Sequence, residues 1–132
     1  MAATIFTKII KGEIPCYKIA EDENYLAFLD ISPLAIGHTL VIPKKEIDYI
    51  FALDDSLFAG LHVFSKKVAI ALEKAIPCKR IGVAVIGLEV PHAHIHLIPL
   101  QTVQDINFSR EKMIVSKEVL EETSEKIRKQ LA

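Results

Sequence analysis

The residues of this chain best equipped for chemistry stand in a row, His92-Ala93-His94-Ile95-His96-Leu97-Ile98. Three imidazoles alternate with apolar residues, a period of two. On an extended strand that period puts the three rings on one face and Ala93, Ile95 and Leu97 on the other. At a rise of ~3.3 Å per residue, neighbouring rings are rooted roughly 6.6 Å apart and the outer two roughly 13 Å apart. A helix would scatter them, because residues two apart do not share a face there.

Two chemistries suit such a row. One is metal binding. His-x-His on a strand can place two nitrogens on one ion, at ~2.0–2.1 Å for zinc. His38 or Glu89 would then be a third ligand, although no ligand motif surrounds either. The other is nucleophilic catalysis at phosphorus. Imidazole has an ordinary pKa of ~6.5, so much of it is unprotonated near neutrality and able to attack. Covalent capture divides one hard step into two. Neighbouring rings can hydrogen-bond the phosphoryl oxygens and protonate the leaving group. His94, with a partner on each side, is the natural nucleophile, and this chemistry requires no metal.

The elements that must position the row can be read around it. Thr4 caps a short helix over residues 5–11, closed by Gly12. Residues 17–20 and 25–30 read as strands joined by the polar turn Glu21-Asp22-Glu23-Asn24. Ser32-Pro33 and Gly37 mark turns, and residues 38–42 form a third strand ended by Pro43. Asp54 opens a long helix in which Leu57, Leu61, Phe64, Val68, Leu72 and Ala75 recur at helical spacing, and Pro77 stops it. Residues 81–86, nearly all apolar, read as a strand in the centre of the sheet. Gly87 breaks it, Pro91 leads into the histidine strand, and Pro99 closes that strand. Residues 101–115 carry little signal, and Ser116 caps a last helix through Leu131. This order predicts an α+β fold with an antiparallel sheet and the long helix packed on one face.

The totals narrow the function classes. At 132 residues the chain reads as one domain, 1–132. Its 16 basic and 17 acidic residues, net charge −1, make no electrostatic footprint for nucleic acid. No apolar run approaches the ~20 residues of a membrane helix. Yet 51% of residues are hydrophobic and the mean hydropathy is +0.31, an excess that predicts apolar surface hidden in a symmetric dimer. Cys16 and Cys78 form neither CxxC nor a disulfide framework, and Lys8 and Lys11 interrupt any signal-peptide pattern. Both observations point to the cytoplasm. His62 reads as an exposed or interface residue, and Lys44-Lys45 as a solvated turn.

Beyond the row, three blocks resemble the histidine triad (HIT) superfamily, and most closely its Hint-like branch. They are Ile5-Phe6-Thr7-Lys8-Ile9-Ile10-Lys11-Gly12-Glu13-Ile14-Pro15, then Ala27-Phe28-Leu29-Asp30-Ile31-Ser32-Pro33, then Gly37-His38-Thr39-Leu40-Val41-Ile42-Pro43-Lys44. With the histidines they cover about residues 4–99; residues 100–132 are an extension with a helix and no matching motif. The resemblance implies a HIT fold with a five-stranded antiparallel sheet, one long helix upon it, short N-terminal and C-terminal helices, and a homodimer that joins two sheets. It implies binding of a purine nucleotide and hydrolysis of nucleoside phosphoramidates at the α-phosphate, through a nucleotidyl-histidine, with no cofactor and no metal. Alternatives are a dinucleoside polyphosphate hydrolase or a nucleotide-binding regulatory or scaffold protein.

Carried over by position, the resemblance makes His94 the nucleophile. His96 would touch the phosphate or bridging atom and help protonate the leaving group, while His92 and His38 orient the row. Asp30 would accept hydrogen bonds from the ribose hydroxyls. Phe6, Phe28 and Ile31, with Ile9 or Ile10, would sandwich the base, and Gly87 would let backbone approach phosphate. The chain departs from its relatives at Gly87-Leu88-Glu89-Val90, where many read Gly-Gln-Ser or Gly-Gln-Thr. Leu88 removes an amide, which counts against the polyphosphate substrate. Glu89 replaces a hydroxyl and puts a negative charge at the mouth of the site, so it is expected to favour cationic leaving amines. Val85-Ile86-Gly87 also lacks an asparagine that relatives often offer the nucleotide.

Overall fold

Three side-chain oxygens set where the helices begin. Thr4 Oγ1 accepts the Thr7 N–H at 3.2 Å and opens α1 (Ile5–Ile10). Asp54 Oδ1 accepts the Leu57 N–H at 2.8 Å and opens α2 (Asp55–Ala75). Ser116 Oγ accepts the Val119 N–H at 3.2 Å and opens α3 (Lys117–Lys129). Each satisfies an amide that the first turn leaves unpaired. The computed structural model describes residues 4–131.

The strands are β1 (Lys18–Glu21), β2 (Tyr25–Leu29), β3 (Thr39–Pro43), β4 (Arg80–Ala84) and β5 (Ile95–Leu100). They form one antiparallel sheet in the order β1-β2-β3-β5-β4. The α+β class, the five strands and the three helices agree with expectation. Alternation sorts their side chains into two cores. Ala27, Val41, Ile95 and Leu97 pack under Leu61, Phe64, Val68 and Leu72 of α2 and Leu120 and Ile127 of α3. Leu26, Phe28, Leu40 and Ile42 pack on the opposite face against Phe6 of α1. Burying each of the larger side chains, Ala27 apart, contributes ~1.5–3 kcal/mol. A one-residue slip would exchange the two sets, so the register is strongly specified. Gly60 lets α2 pass over Tyr25, since a Cβ there would stand 2.0 Å from the Tyr25 hydroxyl. That hydroxyl donates to the Leu57 carbonyl at 3.0 Å.

Two expectations are corrected. The apolar run at 81–86 was expected at the centre of the sheet, but β4 is an edge strand and its Val83 is 59% exposed. An apolar run requires cover, but it does not say whether the cover is a neighbouring strand or another surface. The histidine strand also begins late, at Ile95, and runs through Pro99 to Leu100. His92 and Ala93 make other bonds, from His92 N–H to the Val90 carbonyl and from Ala93 N–H to the Ile47 carbonyl, both at 2.8 Å. Only His96 of the three lies in a strand. The stretch read as irregular at 101–115 contains one short 3-10 turn, Val103–Ile106. Among the described residues, no helix is long and apolar enough to cross a membrane.

Candidate active site

The predicted alternation holds although the strand is short. Ala93, Ile95 and Leu97 join the core beneath α2. The imidazoles turn to the α1 face, where the Phe6 ring stands edge-on to His92 at 5.8 Å and to His94 at 5.2 Å. The His94 and His96 ring centres are 4.9 Å apart. β3 brings His38 alongside, one residue before the strand that pairs Leu40 with His96.

Hydrogen bonds assign a different protonation pattern to each ring. The Leu34 backbone N–H, which can only donate, lies 3.0 Å from His38 Nδ1. Neutral His38 therefore carries its proton on Nε2. That N–H points at His96 Nδ1, 3.0 Å away, so His96 carries its own proton on Nε2. His94 Nδ1 lies 2.7 Å from the His92 carbonyl, which can only accept. The proton of neutral His94 is therefore on Nδ1 and the lone pair on Nε2. His92 Nε2–H donates to the Pro43 carbonyl at 2.8 Å, and its buried Nδ1 has no partner among the described residues. The row presents a nucleophilic nitrogen at His94 beside an N–H donor at His96.

Burial keeps the supporting rings neutral. It pushes His38 down to about 4, with the charge of Lys112 and the neighbouring His94 adding to the effect. It pushes His96 down to about 3, with the neighbouring His94, His38 and Lys112 contributing. His92 is lowered as well, again mainly by burial. Asp30 follows β2, and burial raises its carboxyl above the usual range. One oxygen accepts the Ser32 N–H at 2.8 Å. The other lies 3.7 Å from His38 Nε2, too far for a hydrogen bond, and neutral His38 gives it no ion pair. That oxygen remains available to accept from a ligand. Among the described residues, Asp30, His38 and His96 have ligand atoms within 4.8 Å of one another, the arrangement that could hold a metal ion. It differs from the His-x-His pairing expected of a metal, and it would compete with the bond between His38 and His96.

These groups open into a cavity of about 390 Å³. Of the residues singled out by sequence, His94, His96, His38, Asp30, Phe6, Gly87 and Glu89 line it. Five others do not. His92 is buried behind Phe6 and His94, Phe28 packs on Phe6 at 5.6 Å, Ile9 and Ile10 are half-buried against the same cluster, and Ile31 is 62% exposed. Gly87 has φ +73°, a conformation other residues rarely adopt, with open space where a Cβ would stand. Leu88 beside it is 88% exposed. Sequence reasoning missed Ile5, Phe108, Ser109 and Lys112, which also line the cavity. The Phe108 ring is 4.7 Å from that of His96 and 6.2 Å from that of His38. No periodicity or motif in residues 101–115 marks Phe108, Ser109 or Lys112. His62 is exposed, as expected, with Nδ1 2.9 Å from the Phe58 carbonyl. Lys44 is paired with Glu21 at 2.7 Å.

The signature described as HIT domain matches residues 11–103. The adenosine 5'-monophosphoramidase of Schizosaccharomyces pombe is 42% identical over 100 residues, covering 72% of this chain and 72% of that protein. The Hit protein of Bacillus subtilis is 41% identical over 102 residues, covering 72% and 69%. Among solved structures, a Hit-like protein of Bartonella henselae superposes with a TM-score of 0.83 at 35% identity, covering 96% of this chain and 95% of that one.

Proposed function

The chain belongs to the HIT family, and from that premise we propose that it hydrolyses purine nucleoside phosphoramidates at the α-phosphate through a nucleotidyl group on His94. The bond from His94 Nδ1 to the His92 carbonyl, 2.7 Å, is the observation that carries the reading. It commits the lone pair of neutral His94 to Nε2, where the cavity can bring a phosphorus atom. In the first step that lone pair bonds to phosphorus and the P–N bond breaks. The departing nitrogen takes up a proton through His96 Nε2–H, and the His38 N–H at 3.0 Å supports the electron density left on His96. In the second step water attacks the nucleotidyl group, returns a proton to His96 and releases the nucleoside monophosphate. Asp30 accepts from the ribose hydroxyls, Phe6 packs against the base, and His92 and His38 hold the reacting rings in place. The named activity of the S. pombe relative supports this substrate class.

The protein is further proposed to act as a homodimer. Its two sheet edges differ. β1 carries charges at both ends, Lys18 and Glu21, whereas β4 carries one, Arg80 at its start, and leaves Val83 exposed. Joining β4 edges around a two-fold axis would cover that row and continue the sheet. Cys16 and Cys78 are free thiols, which suits action in the cytoplasm.

Incubation of the protein with a fluorogenic adenosine phosphoramidate tests the reading, with mass spectrometry of the quenched enzyme. Turnover unaffected by EDTA, a nucleotidyl adduct on His94, and loss of more than ~10³ in rate for His94→Ala are expected. Activity lost on chelation would favour the metal reading. AMP binding without turnover would favour a regulatory module.

A further inference from the structure

We propose that Lys112 supplies the positive charge that holds the substrate's phosphoryl oxygens, a role that rests on the nucleotide reading above. Among the described residues lining the cavity, the fixed charges are Asp30, Glu89 and Lys112. Two are carboxylates, and the three lining histidines offer no fixed cation. An anionic phosphate entering this cavity would meet net negative charge without Lys112. The loop that precedes the row does not compensate, since residues 87–90 offer Leu88, which points to solvent, and Glu89, which repels. Its side chains contain no donor toward phosphate.

The position of Lys112 is set by its neighbours. The Met113 N–H donates to the Pro33 carbonyl at 2.8 Å, which ties the C-terminal segment to the loop between Asp30 and His38. Four residues before Lys112, Phe108 packs edge-on against His96 at 4.7 Å. Lys112 lies between these anchors, half-buried, and its charge acts on Asp30, His38 and His96. Arg110, the other cation of this stretch, is bound to Asp105 at 3.2 Å and to the Gln104 carbonyl at 2.7 Å. A charge-assisted bond to phosphate raises affinity about 10- to 100-fold.

Calorimetric titration of AMP and of adenosine into wild type, Lys112→Met and Lys112→Arg separates a charge from a prop. Methionine keeps most of the stem and removes the charge. AMP affinity should fall about 10- to 100-fold in Lys112→Met, recover largely in Lys112→Arg, and lose part of its salt dependence, while adenosine affinity stays unchanged. Equal AMP affinity in wild type and Lys112→Met would overturn the proposal and leave the nucleotide site standing. Parallel losses for AMP and adenosine would also overturn it, since the lysine would then act on the shape of the site. Failure of wild type to bind either compound would sink the nucleotide reading and this inference together.

Discussion

Acid should destabilise this protein through the very rings that are kept neutral for catalysis. His38 and His96 have folded pKa values of about 4 and about 3, against 6.5 for an unperturbed imidazole. Between those values the unfolded chain binds protons that the folded chain refuses. The stability contributed by neutral burial is therefore complete above pH ~6.5 and is lost as pH falls through the window toward about 4 and about 3. At pH ~5 the unfolded ring is almost fully protonated and the folded one almost not at all. Each histidine then costs ~2 kcal/mol relative to pH ~7.5, and the pair ~4 kcal/mol. His92, also lowered by burial, acts in the same direction, and Asp30, raised by burial, acts in the opposite one. His96→Gln isolates one term, because glutamine does not titrate and its carbonyl can still accept from His38. Urea unfolding at about pH 7.5, 6.5 and 5, at fixed protein concentration, should give a fall in stability that is ~2 kcal/mol smaller in the variant. Parallel profiles for the two proteins would refute the buried, neutral relay.

Two other expectations concern the rim and the edge. Glu89→Gln should reduce a preference for phosphoramidates with cationic over anionic leaving sides, read as the ratio of kcat/KM for a lysine-derived and an aspartate-derived substrate. Equal ratios in both proteins would remove Glu89 from leaving-group choice. Val83→Lys places a charge on the exposed β4 edge and should shift the mass in sedimentation velocity from dimer toward monomer, and an unchanged mass would exclude pairing through that edge.

Much of the site was legible because its determinants are local. The period of two in the histidine row sends Ala93, Ile95 and Leu97 to one core and the imidazoles to the other, and that does not depend on where hydrogen-bonded pairing begins. The caps at Thr4, Asp54 and Ser116 are equally local. What escaped depends on pairing over distance. Nothing in residues 81–86 says that β5 will insert between β3 and β4 and leave Val83 outside. Nothing near Phe108 or Lys112 says that this stretch returns to the loop after β2, because the links are a backbone bond from Met113 to Pro33 and a side-chain contact from Arg110 to the Leu34 carbonyl. Ile31 shows the converse. A position in a motif suggested contact with the base, yet the side chain is 62% exposed and outside the cavity lining.

Three identical side chains acquire different duties only because their hydrogen-bond partners differ, and the deciding partners are mostly backbone groups. The Leu34 N–H forces the His38 proton to Nε2, and that proton in turn sets His96 as a donor. The His92 carbonyl sets His94 as a nucleophile, and the Pro43 carbonyl takes the proton of His92. Replacing a histidine would remove one ring, but moving Leu34 would rewrite the protonation of two. The Met113–Pro33 bond at 2.8 Å and the Arg110 contact to the Leu34 carbonyl at 3.5 Å both bear on that same loop. The C-terminal stretch without a motif thus bears on the chemistry twice: it brings Lys112 to the cavity, and it steadies the amide from which the order of protons along the row begins.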